Sequence, residues 1–311
     1  MRRRLAFFGS PAWAVPVLEA LAAHHEVVLV VTQPDKPAGR GLALTPAPVA
    51  EAAARLGLPV EKPARLKGNA AFLERFKTLG LDAAVTAAYG KLLPPELLEV
   101  PRHGFLNLHP SLLPKYRGAA PVQWALIRGE RETGVTIMRT DAGLDTGPIL
   151  LQWRTPIHPD ETALELAERL RDKGIQLLLE ALERLEDLEP RPQPADGTYA
   201  PLLTKEDGRI RWTDPARAVY DRHRGVQPWP GSWFMHARDG GGRVRVKVHA
   251  LFPAEGQGAP GEVLAVEPEG VRVAVGEGAV RLVEVQPEGK RRMPAADWAR
   301  GYGLRVGARL E

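Results

Sequence analysis

The sequence lacks cysteine altogether, and this absence excludes disulfide bonds, a thiol nucleophile and a thiolate metal site. No apolar run approaches the roughly 18 residues that a membrane-spanning helix needs. The start of the chain, Met1–Arg4, is basic, but the apolar stretch after it breaks at Gly9 and makes a poor signal peptide. The 311 residues, 44% of them hydrophobic and 26% charged, are typical of a globular protein of two domains, and we expect a cytoplasmic location.

Two catalytic motifs are missing as well. The turn after the first predicted strand contains Gly9 but not the three glycines of a dinucleotide-binding loop, so a nicotinamide-dependent oxidoreductase has little support. The sequence has no Gly-x-Ser-x-Gly elbow, and with cysteine also absent nothing in it indicates a covalent acyl-enzyme mechanism.

The net charge of +4 is unevenly distributed along the chain. Residues 1–200 carry 24 basic and 24 acidic side chains, whereas residues 201–311 carry 18 and 14, so the whole surplus lies in the last third. A neutral body followed by a basic segment indicates an acidic partner such as nucleic acid. A solvated basic face without any partner is the commoner explanation of charge alone, and it stays the alternative.

Short apolar runs alternate with helical patterns over the first two thirds of the chain. The runs predict strands at residues 5–9, 26–32, 82–87, 104–108, 134–140 and 149–155, and the helical patterns lie at 11–24, 48–56, 70–79 and 162–188. A Pro- and Gly-rich loop occupies residues 33–48. This alternation is typical of an α/β domain, here residues 1–188, with an open, mostly parallel sheet and helices on both faces.

A change of pattern marks the end of that domain. The last helix begins with a Thr162–Glu165 capping box and stops before a Pro-rich segment, which predicts a semi-rigid linker at residues 189–204. Beyond it, valines alternate with basic residues and Gly and Pro lie between the runs, which predicts an all-β domain over 205–311. We expect an OB-like barrel there, a fold that suits the charge.

Asn107 and His109 form the most informative pair in the sequence. They end a predicted strand, and alternation puts both on one side of the chain at the sheet edge where α/β proteins bind ligands. An amide and an imidazole held together can donate hydrogen bonds to a developing oxyanion, and the imidazole can move protons near neutral pH. A lone His is more often structural, but its place beside one of only two Asn residues favours a catalytic role.

A second carboxylate-bearing segment contains Asp141 and Asp145 in a Gly-rich turn at residues 141–148. A carboxylate can orient a catalytic His and stabilise its positive form. Ordinary turn chemistry explains the same Asp and Gly residues at least as well. A metal site on His109 and the two carboxylates is less attractive, because no His-x-x-x-His or similar spacing supports it, and we expect no metal.

The segments Asn107–Gly118 and Asp141–Pro148 are similar to the signature of the folate-dependent formyltransferases. Over essentially its whole length the chain resembles, among these enzymes, the methionyl-tRNA formyltransferase family. Three further segments favour that family over its small-molecule relatives: the loop at 33–41, residues 205–212 and Gly289–Met293. The sequence departs from some relatives at residues 42–45, which are apolar where those relatives carry lysines.

The resemblance implies that the formyl group of 10-formyltetrahydrofolate passes directly to the free α-amine of methionyl initiator tRNA, for translation initiation. Asn107 and His109 would face the oxyanion of the tetrahedral carbon, and Asp145 would pair with His109 and help to remove the amine proton. The folate would lie in a crevice of a Rossmann-like catalytic domain, against residues that the resemblance assigns to it: Tyr89, Gly90, Leu92, Ser111, Leu112, Leu113, Pro114 and Asp141.

The resemblance also implies that the basic C-terminal domain binds tRNA, while the loop at 33–48 enters the acceptor-stem end. With lysines absent after the loop's glycines, its contacts would depend on Arg40 and on apolar wedging. The residues expected to contact tRNA are basic: Lys36, Arg40, Arg117, Arg209, Arg211, Arg243, Arg245, Lys247, Lys290 and Arg291. We expect a monomer without an obligate protein partner.

Other functions are compatible with the same residues. A formyltransferase for a small nucleotide or amino-sugar amine, or a 10-formyltetrahydrofolate hydrolase, would share Asn107, His109 and Asp145 but would not need a basic second domain. A non-catalytic RNA-binding protein would tolerate the loss of Asn107. Asn107, His109 and Asp145 favour the folate enzymes over the binding protein, and among the enzymes the loop at 36–40 and the basic last third favour the tRNA enzyme.

Overall fold

The computed structural model describes residues 1–39, 42–237 and 241–311. The chain divides into two compact units. The first comprises Met1–Pro121, Glu132–Pro156 and Ala167–Pro201, and the second comprises Val122–Arg131, Ile157–Leu166 and Leu202–Glu311. Residues 189–201 of the predicted linker thus belong to the first unit. No helix among the described residues is long and apolar enough to cross a membrane.

The elements follow in chain order. The strands are β1 (Arg4–Phe8), β2 (Glu26–Val31), β3 (Lys36–Ala38), β4 (Ala43–Thr45), β5 (Val60–Glu61), β6 (Ala83–Thr86), β7 (Phe105–His109), β8 (Arg117–Gly118), β9 (Glu132–Arg139), β10 (Ile149–Pro156), β11 (Tyr199–Ala200), β12 (Ser232–Ala237), β13 (Arg243–Ala254), β14 (Val263–Glu267), β15 (Gly270–Ala274), β16 (Ala279–Pro287) and β17 (Met293–Pro294). The α-helices are α1 (Val15–His24), α2 (Pro48–Arg55), α3 (Ala70–Lys77), α4 (Pro95–Leu98), α5 (Pro121–Ile127), α6 (Ala163–Glu183), α7 (Ala216–Gly225) and α8 (Ala295–Gly301).

The first unit is built on a seven-stranded sheet in the order β10-β9-β7-β6-β1-β2-β5. The five strands from β7 to β5 are parallel, and β9 and β10 add an antiparallel edge. Leu5, Ala6, Phe7 and Phe8 of β1 are fully buried, as expected for a central parallel strand whose two faces are covered. The predicted open, mostly parallel sheet is confirmed.

Aromatic rings fill the interior beside this sheet. The centroid of the Phe8 ring lies 5.2 Å from that of Phe105, 5.3 Å from that of Tyr89 and 5.8 Å from that of Phe76. These are edge-on contacts, which suit the charge distribution of aromatic rings. This packing holds Phe8, at the end of β1, against Tyr89 after β6 and against Phe105 at the start of β7.

The helices predicted at 11–24 and 162–188 differ from their predicted limits. Residues 12–14 form a 3-10 turn and the α-helix begins at Val15, because Pro16 is tolerated only in a first helical turn. The predicted capping box at Thr162 forms, since the amide of Thr162 donates to the Glu165 carboxylate at 2.8 Å. The helix that follows ends at Glu183, earlier than predicted.

The second unit contains an antiparallel sheet in the order β12-β13-β16-β15-β14, with β17 on β16. Residues 308–311 pair with Met235 on one side and with Gly261 and Val263 on the other, so they close the sheet between its outer strands. The prediction of a β domain is confirmed, and two short helices that it did not include, α7 and α8, pack against this sheet through Tyr220 and Trp298.

Candidate active site

Asn107 and His109 lie at the carboxyl end of β7, as the strand pattern predicts. The strand pairs with β6 in parallel and with β9 in antiparallel register, with Asn107 opposite Thr86 and Met138. His109 is 5% exposed, whereas Asn107 is half-buried. The sheet therefore holds the imidazole rigidly and leaves part of the amide accessible.

Asp145 brings the two side chains together. Its Oδ1 accepts a hydrogen bond from Nδ2 of Asn107 at 3.3 Å, and its Oδ2 lies 3.6 Å from Nδ1 of His109. The same Oδ2 accepts from the backbone amide of Gly118 at 2.8 Å. Two N–H donors and the imidazole of His109 thus converge on one carboxylate that is largely shielded from solvent, which strengthens its electrostatic effect on them.

The backbone of Asp145 is strained in the conformation that places its carboxylate beside Asn107 and His109. Its φ of +52° lies in the left-handed region, which Asp adopts more readily than most residues but at a cost of the order of 1 kcal/mol. Non-glycine residues in this conformation persist only where the surroundings hold them, and they cluster at functional sites. Such strain beside His109 and Asn107 favours a catalytic role over ordinary turn chemistry for this carboxylate.

The second ring nitrogen of His109 has a fixed partner. Nε2 lies 2.8 Å from the backbone carbonyl oxygen of Tyr116, which can only accept, so this nitrogen carries a proton and donates it. Nδ1 is then the nitrogen that faces Asp145. Tyr116 is itself in the left-handed region, with φ of +62°.

The loop after β7 is tied to the sheet by polar side chains. Ser111 Oγ donates to the carbonyl of Lys115 at 2.7 Å, and its own carbonyl accepts from Thr136 Oγ1 at 2.7 Å. The amide of Leu113 donates to Thr136 Oγ1 at 3.2 Å. Of the residues predicted to contact folate, Ser111 and Leu113 therefore face the interior, while Leu112 and Pro114 are half-buried.

The segment after β6 offers backbone rather than side-chain polar groups. The ring of Tyr89 is buried beside Phe8, and burial raises the pKa of Tyr89 to about 12. Its carbonyl accepts from Nε2 of Gln33 at 2.8 Å, and a Cβ on Gly90 would lie 2.7 Å from that nitrogen. Leu92 is 63% exposed and presents apolar surface. The sequence did not single out Gln33 as a residue that supports this turn.

Asp141, the remaining residue predicted to contact folate, uses its side chain locally. Its Oδ1 accepts from the amide of Gly143 at 3.0 Å and from Thr146 Oγ1 at 2.8 Å. This is turn chemistry, and it leaves the backbone of Asp141 for a ligand. Among the residues that the structure describes, no group of three or more His, Asp or Glu side chains could hold a metal ion.

The predicted tRNA contacts fall into separate groups. On β13, Arg243, Arg245 and Lys247 alternate with buried valines and so face outward from the sheet. Arg209 and Arg245 lie on Trp233, with guanidinium carbons 5.5 and 5.9 Å from its ring. Of the predicted tRNA contacts in the second unit, Arg245 is half-buried and the others are exposed: Arg209, Arg211, Arg243, Lys247, Lys290 and Arg291.

The remaining basic candidates belong to the first unit. Lys36 is exposed in β3, which forms a hairpin with β4 within the predicted loop at 33–48. Arg40 lies outside the described residues. Arg117 is half-buried, and its Nε and Nη2 donate to Oε1 of Gln193 at 3.1 and 3.0 Å.

Two profiles of known protein families match most of the chain. The profile described as "Formyl transferase" matches residues 3–182, and that described as "Formyl transferase, C-terminal domain" matches residues 202–303. The methionyl-tRNA formyltransferase of Thermus thermophilus is 62% identical over 307 residues, 99% of each chain. That of Deinococcus radiodurans is 56% identical over 309 residues, 99% of this chain and 96% of the relative.

Solved structures with the same fold are more distant in sequence. HypX from Aquifex aeolicus in complex with tetrahydrofolic acid has a TM-score of 0.64 and 21% identity, over 98% of this chain and 48% of that one. The N-formyltransferase from Helicobacter canadensis with folinic acid and dTDP-3-aminofucose has a TM-score of 0.67 and 18% identity, over 91% and 99%. These similarities show the fold.

Proposed function

The chain belongs to the methionyl-tRNA formyltransferase family, and from this membership we propose that it transfers the formyl group of 10-formyltetrahydrofolate to the α-amine of methionyl initiator tRNA. The observation that carries the mechanism is the convergence of Asn107, His109 and Asp145 at the end of β7. Proton transfer by a positioned side chain contributes about 10²–10⁴-fold to such a reaction.

Asn107 stabilises the charge that develops during the reaction. As the amine nitrogen bonds to the formyl carbon, the formyl oxygen becomes an oxyanion. One N–H of the Asn107 amide is held by Asp145 at 3.3 Å, and this contact orients the second N–H toward that oxygen. Such a preorganised donor is worth about 10²–10³-fold in rate.

His109 and Asp145 move the protons. The amine must lose a proton, and N10 of the folate must gain one when its bond to the formyl carbon breaks. Nδ1 of His109 exchanges protons on the side that faces Asp145, while the Tyr116 carbonyl fixes the ring through Nε2. The carboxylate of Asp145 accepts the amine proton, directly or through water, and this pair of residues returns one proton to N10 as its bond to the formyl carbon breaks, so no net proton is gained or lost.

The folate fits the exposed surface of the first unit near this group. A folate carries flat aromatic rings and donor and acceptor atoms, which match apolar side chains and free backbone groups. Leu92 and Leu144 are 63% and 44% exposed, and the backbone at Gly90–Leu92 and Asp141 supplies polar atoms. Leu112 and Pro114 complete the set of residues that would hold it.

The tRNA is held by the basic residues of the C-terminal domain, residues 205–311, and by the hairpin of β3 and β4. In this hairpin region, the exposed side chains of Leu42 and Leu44 suit insertion at the acceptor end of the tRNA, and Lys36 supplies a positive charge. Phosphate contacts position the RNA and are sensitive to salt. We also propose that the protein acts in the cytoplasm as a monomer, because one chain carries both the catalytic group and the basic surface.

An acceptor comparison tests this function. The protein is mixed with 10-formyltetrahydrofolate and, in separate reactions, with methionyl initiator tRNA, methionyl elongator tRNA, free methionine and an amino-sugar nucleotide. We expect product on the initiator tRNA alone. Transfer to the amino-sugar nucleotide, or folate consumption without any acceptor, would assign the same three residues to a small-molecule transferase or to a hydrolase. Sedimentation of the protein alone measures its oligomeric state.

A further inference from the structure

We propose that residues 191–200, which we name the brace, position His109 for catalysis and that Gln193 and Thr198 are the positioning residues within it. The brace lies between the two regions that the family profiles match, 3–182 and 202–303, so neither profile assigns it a role. The inference deepens and rests on the proposed function, since positioning matters only if His109 is catalytic.

The brace is tied to both loops that carry the candidate site. At its start, Arg191 and Ile149 exchange backbone hydrogen bonds of 2.7 and 2.8 Å, next to the turn at 141–148. At its end, β11 pairs in parallel with β8, in the loop that follows His109. A segment predicted as a spacer from its prolines is therefore an integral part of the site.

Each partner of the His109 ring lies on a left-handed residue, and each of these residues is held by one side chain of the brace. On the Nδ1 side, Nε2 of Gln193 donates to the carbonyls of Asp145 and Gly147 at 2.9 and 2.6 Å. On the Nε2 side, Oγ1 of Thr198 accepts from the amide of Tyr116 at 2.8 Å. Non-glycine residues in this conformation need such support from their surroundings.

The surroundings of the Gln193 amide specify its orientation. Its nitrogen faces two carbonyl oxygens, and its oxygen faces Nε and Nη2 of Arg117 at 3.1 and 3.0 Å. A flipped amide would place an oxygen against two acceptors and a nitrogen against two donors. Gln is therefore the residue that satisfies both sides, and no carboxylate or hydrocarbon of similar size would do so.

Gly197 of the brace lies close against the loop after β7. A Cβ on Gly197 would lie 2.6 Å from Cζ of Arg117 and 2.8 Å from the carbonyl oxygen of Pro114. Because these contacts are so close, a side chain at position 197 would push the brace away from the loop after β7. A displacement of about 1 Å in a catalytic group can cost about 10²-fold in rate, so small changes in the brace reach His109.

Two substitutions of Gln193 distinguish its role as donor to the carbonyls of Asp145 and Gly147 from its role as acceptor for Arg117. Gln193→Ala removes all of the contacts, whereas Gln193→Glu keeps an acceptor for Arg117 but loses the donor to the carbonyls of Asp145 and Gly147. We expect both variants to lower kcat for formylation about 10- to 100-fold while the KM for folate changes less than about threefold. Asp196→Ala, an exposed position of the same segment, is the matched control and should keep the wild-type kcat.

Thr198 provides an independent pair of variants. Thr198→Val keeps the shape but removes the acceptor for the amide of Tyr116, and we expect a loss of similar size. Thr198→Ser restores the acceptor and should recover most of the activity. A role limited to packing would show the reverse order, with Val tolerated better than Ser.

Hydrogen exchange makes the test independent of activity. Amides in the peptide covering 141–150 should exchange faster in both Gln193 variants than in wild type and in Asp196→Ala. The proposal is overturned if exchange there is unchanged, if kcat of Gln193→Ala stays within twofold of wild type, or if Gln193→Glu is fully active. An inactive wild type would refute the proposed function instead, and the exchange rates would still decide whether the brace holds the turn.

Discussion

The replacement of Asp145 by Asn tests the chemistry with almost no change of shape. The carboxylate accepts hydrogen bonds from the backbone amide of Gly118 at 2.8 Å and from Nδ2 of Asn107 at 3.3 Å. It also faces Nδ1 of His109 at 3.6 Å. An Asn side chain keeps one acceptor oxygen, so one of these donors then faces an NH₂ group. The negative charge that stabilises a protonated imidazole is lost as well.

The magnitude follows from these contacts. A hydrogen bond to a charged group contributes about 1.5–3 kcal/mol, and the substitution weakens or removes two of them. A loss of about 3–5 kcal/mol in the transition state corresponds to a decrease in kcat of about 10²–10⁴-fold, at about 1.4 kcal/mol per factor of ten. Binding of folate and tRNA should change less than about threefold, because neither substrate needs this charge for binding.

The assay is single-turnover formylation of methionyl initiator tRNA with excess enzyme, which reports the chemical step. Asp172→Asn serves as the control, since that carboxylate is exposed on α6 and, among the residues that the structure describes, forms an ion pair only with its neighbour Arg171. If Asp145→Asn retains more than a tenth of the wild-type rate, the convergence of donors on this carboxylate does not drive the reaction.

Three further predictions concern stability, tRNA and the catalytic turn. Burial lowers the pKa of His223 from 6.5 to about 4, so the folded protein binds fewer protons than the unfolded chain between these pH values. In denaturant titrations the contribution of His223 to the free energy of unfolding should be complete above pH 6.5 and should fall by about 3 kcal/mol by pH 4. His223→Gln should reduce this dependence of stability on pH. Parallel pH curves for the two proteins would contradict it. Arg211→Ala should weaken tRNA binding and lower the slope of log K against log salt by about 1, whereas an unchanged slope excludes a phosphate contact. A Cβ at position 147 would lie 1.8 Å from the carbonyl oxygen of Arg139, so Gly147→Ala should lower the free energy of unfolding by about 1–3 kcal/mol and displace Asp145; normal melting and normal kcat would refute this.

Local sequence patterns were sufficient for much of the fold. The apolar runs of β1, β2, β6 and β7 are buried on both faces, so their hydrophobicity is continuous and easy to recognise. Short elements were missed where few residues carry the pattern, as in α7 and α8 of the second unit. Their stability comes from packing of Tyr220 and Trp298 against the sheet, which a local pattern does not contain.

The candidate site divides in the same way. Asn107 and His109 could be predicted because strand alternation fixes them on one side of β7. The sequence does not predict three other groups of the site: the carbonyl of Tyr116, the backbone amide of Gly118 and the side-chain amide of Gln193. Each acts through a backbone conformation or through a contact between residues distant in sequence. The prolines around Gln193 correctly indicated a non-helical segment, but composition does not show against what such a segment packs.

The most direct test of this account is the formylation of methionyl initiator tRNA by the wild-type protein and by His109→Ala, with both substrates saturating. We predict that the wild type formylates the charged tRNA and not free methionine, and that His109→Ala is at least about 10²-fold slower while it binds tRNA as tightly. Equal rates for the two proteins, or folate consumption without formylated tRNA, would contradict the central claim that the group at the end of β7 transfers a formyl group to this acceptor.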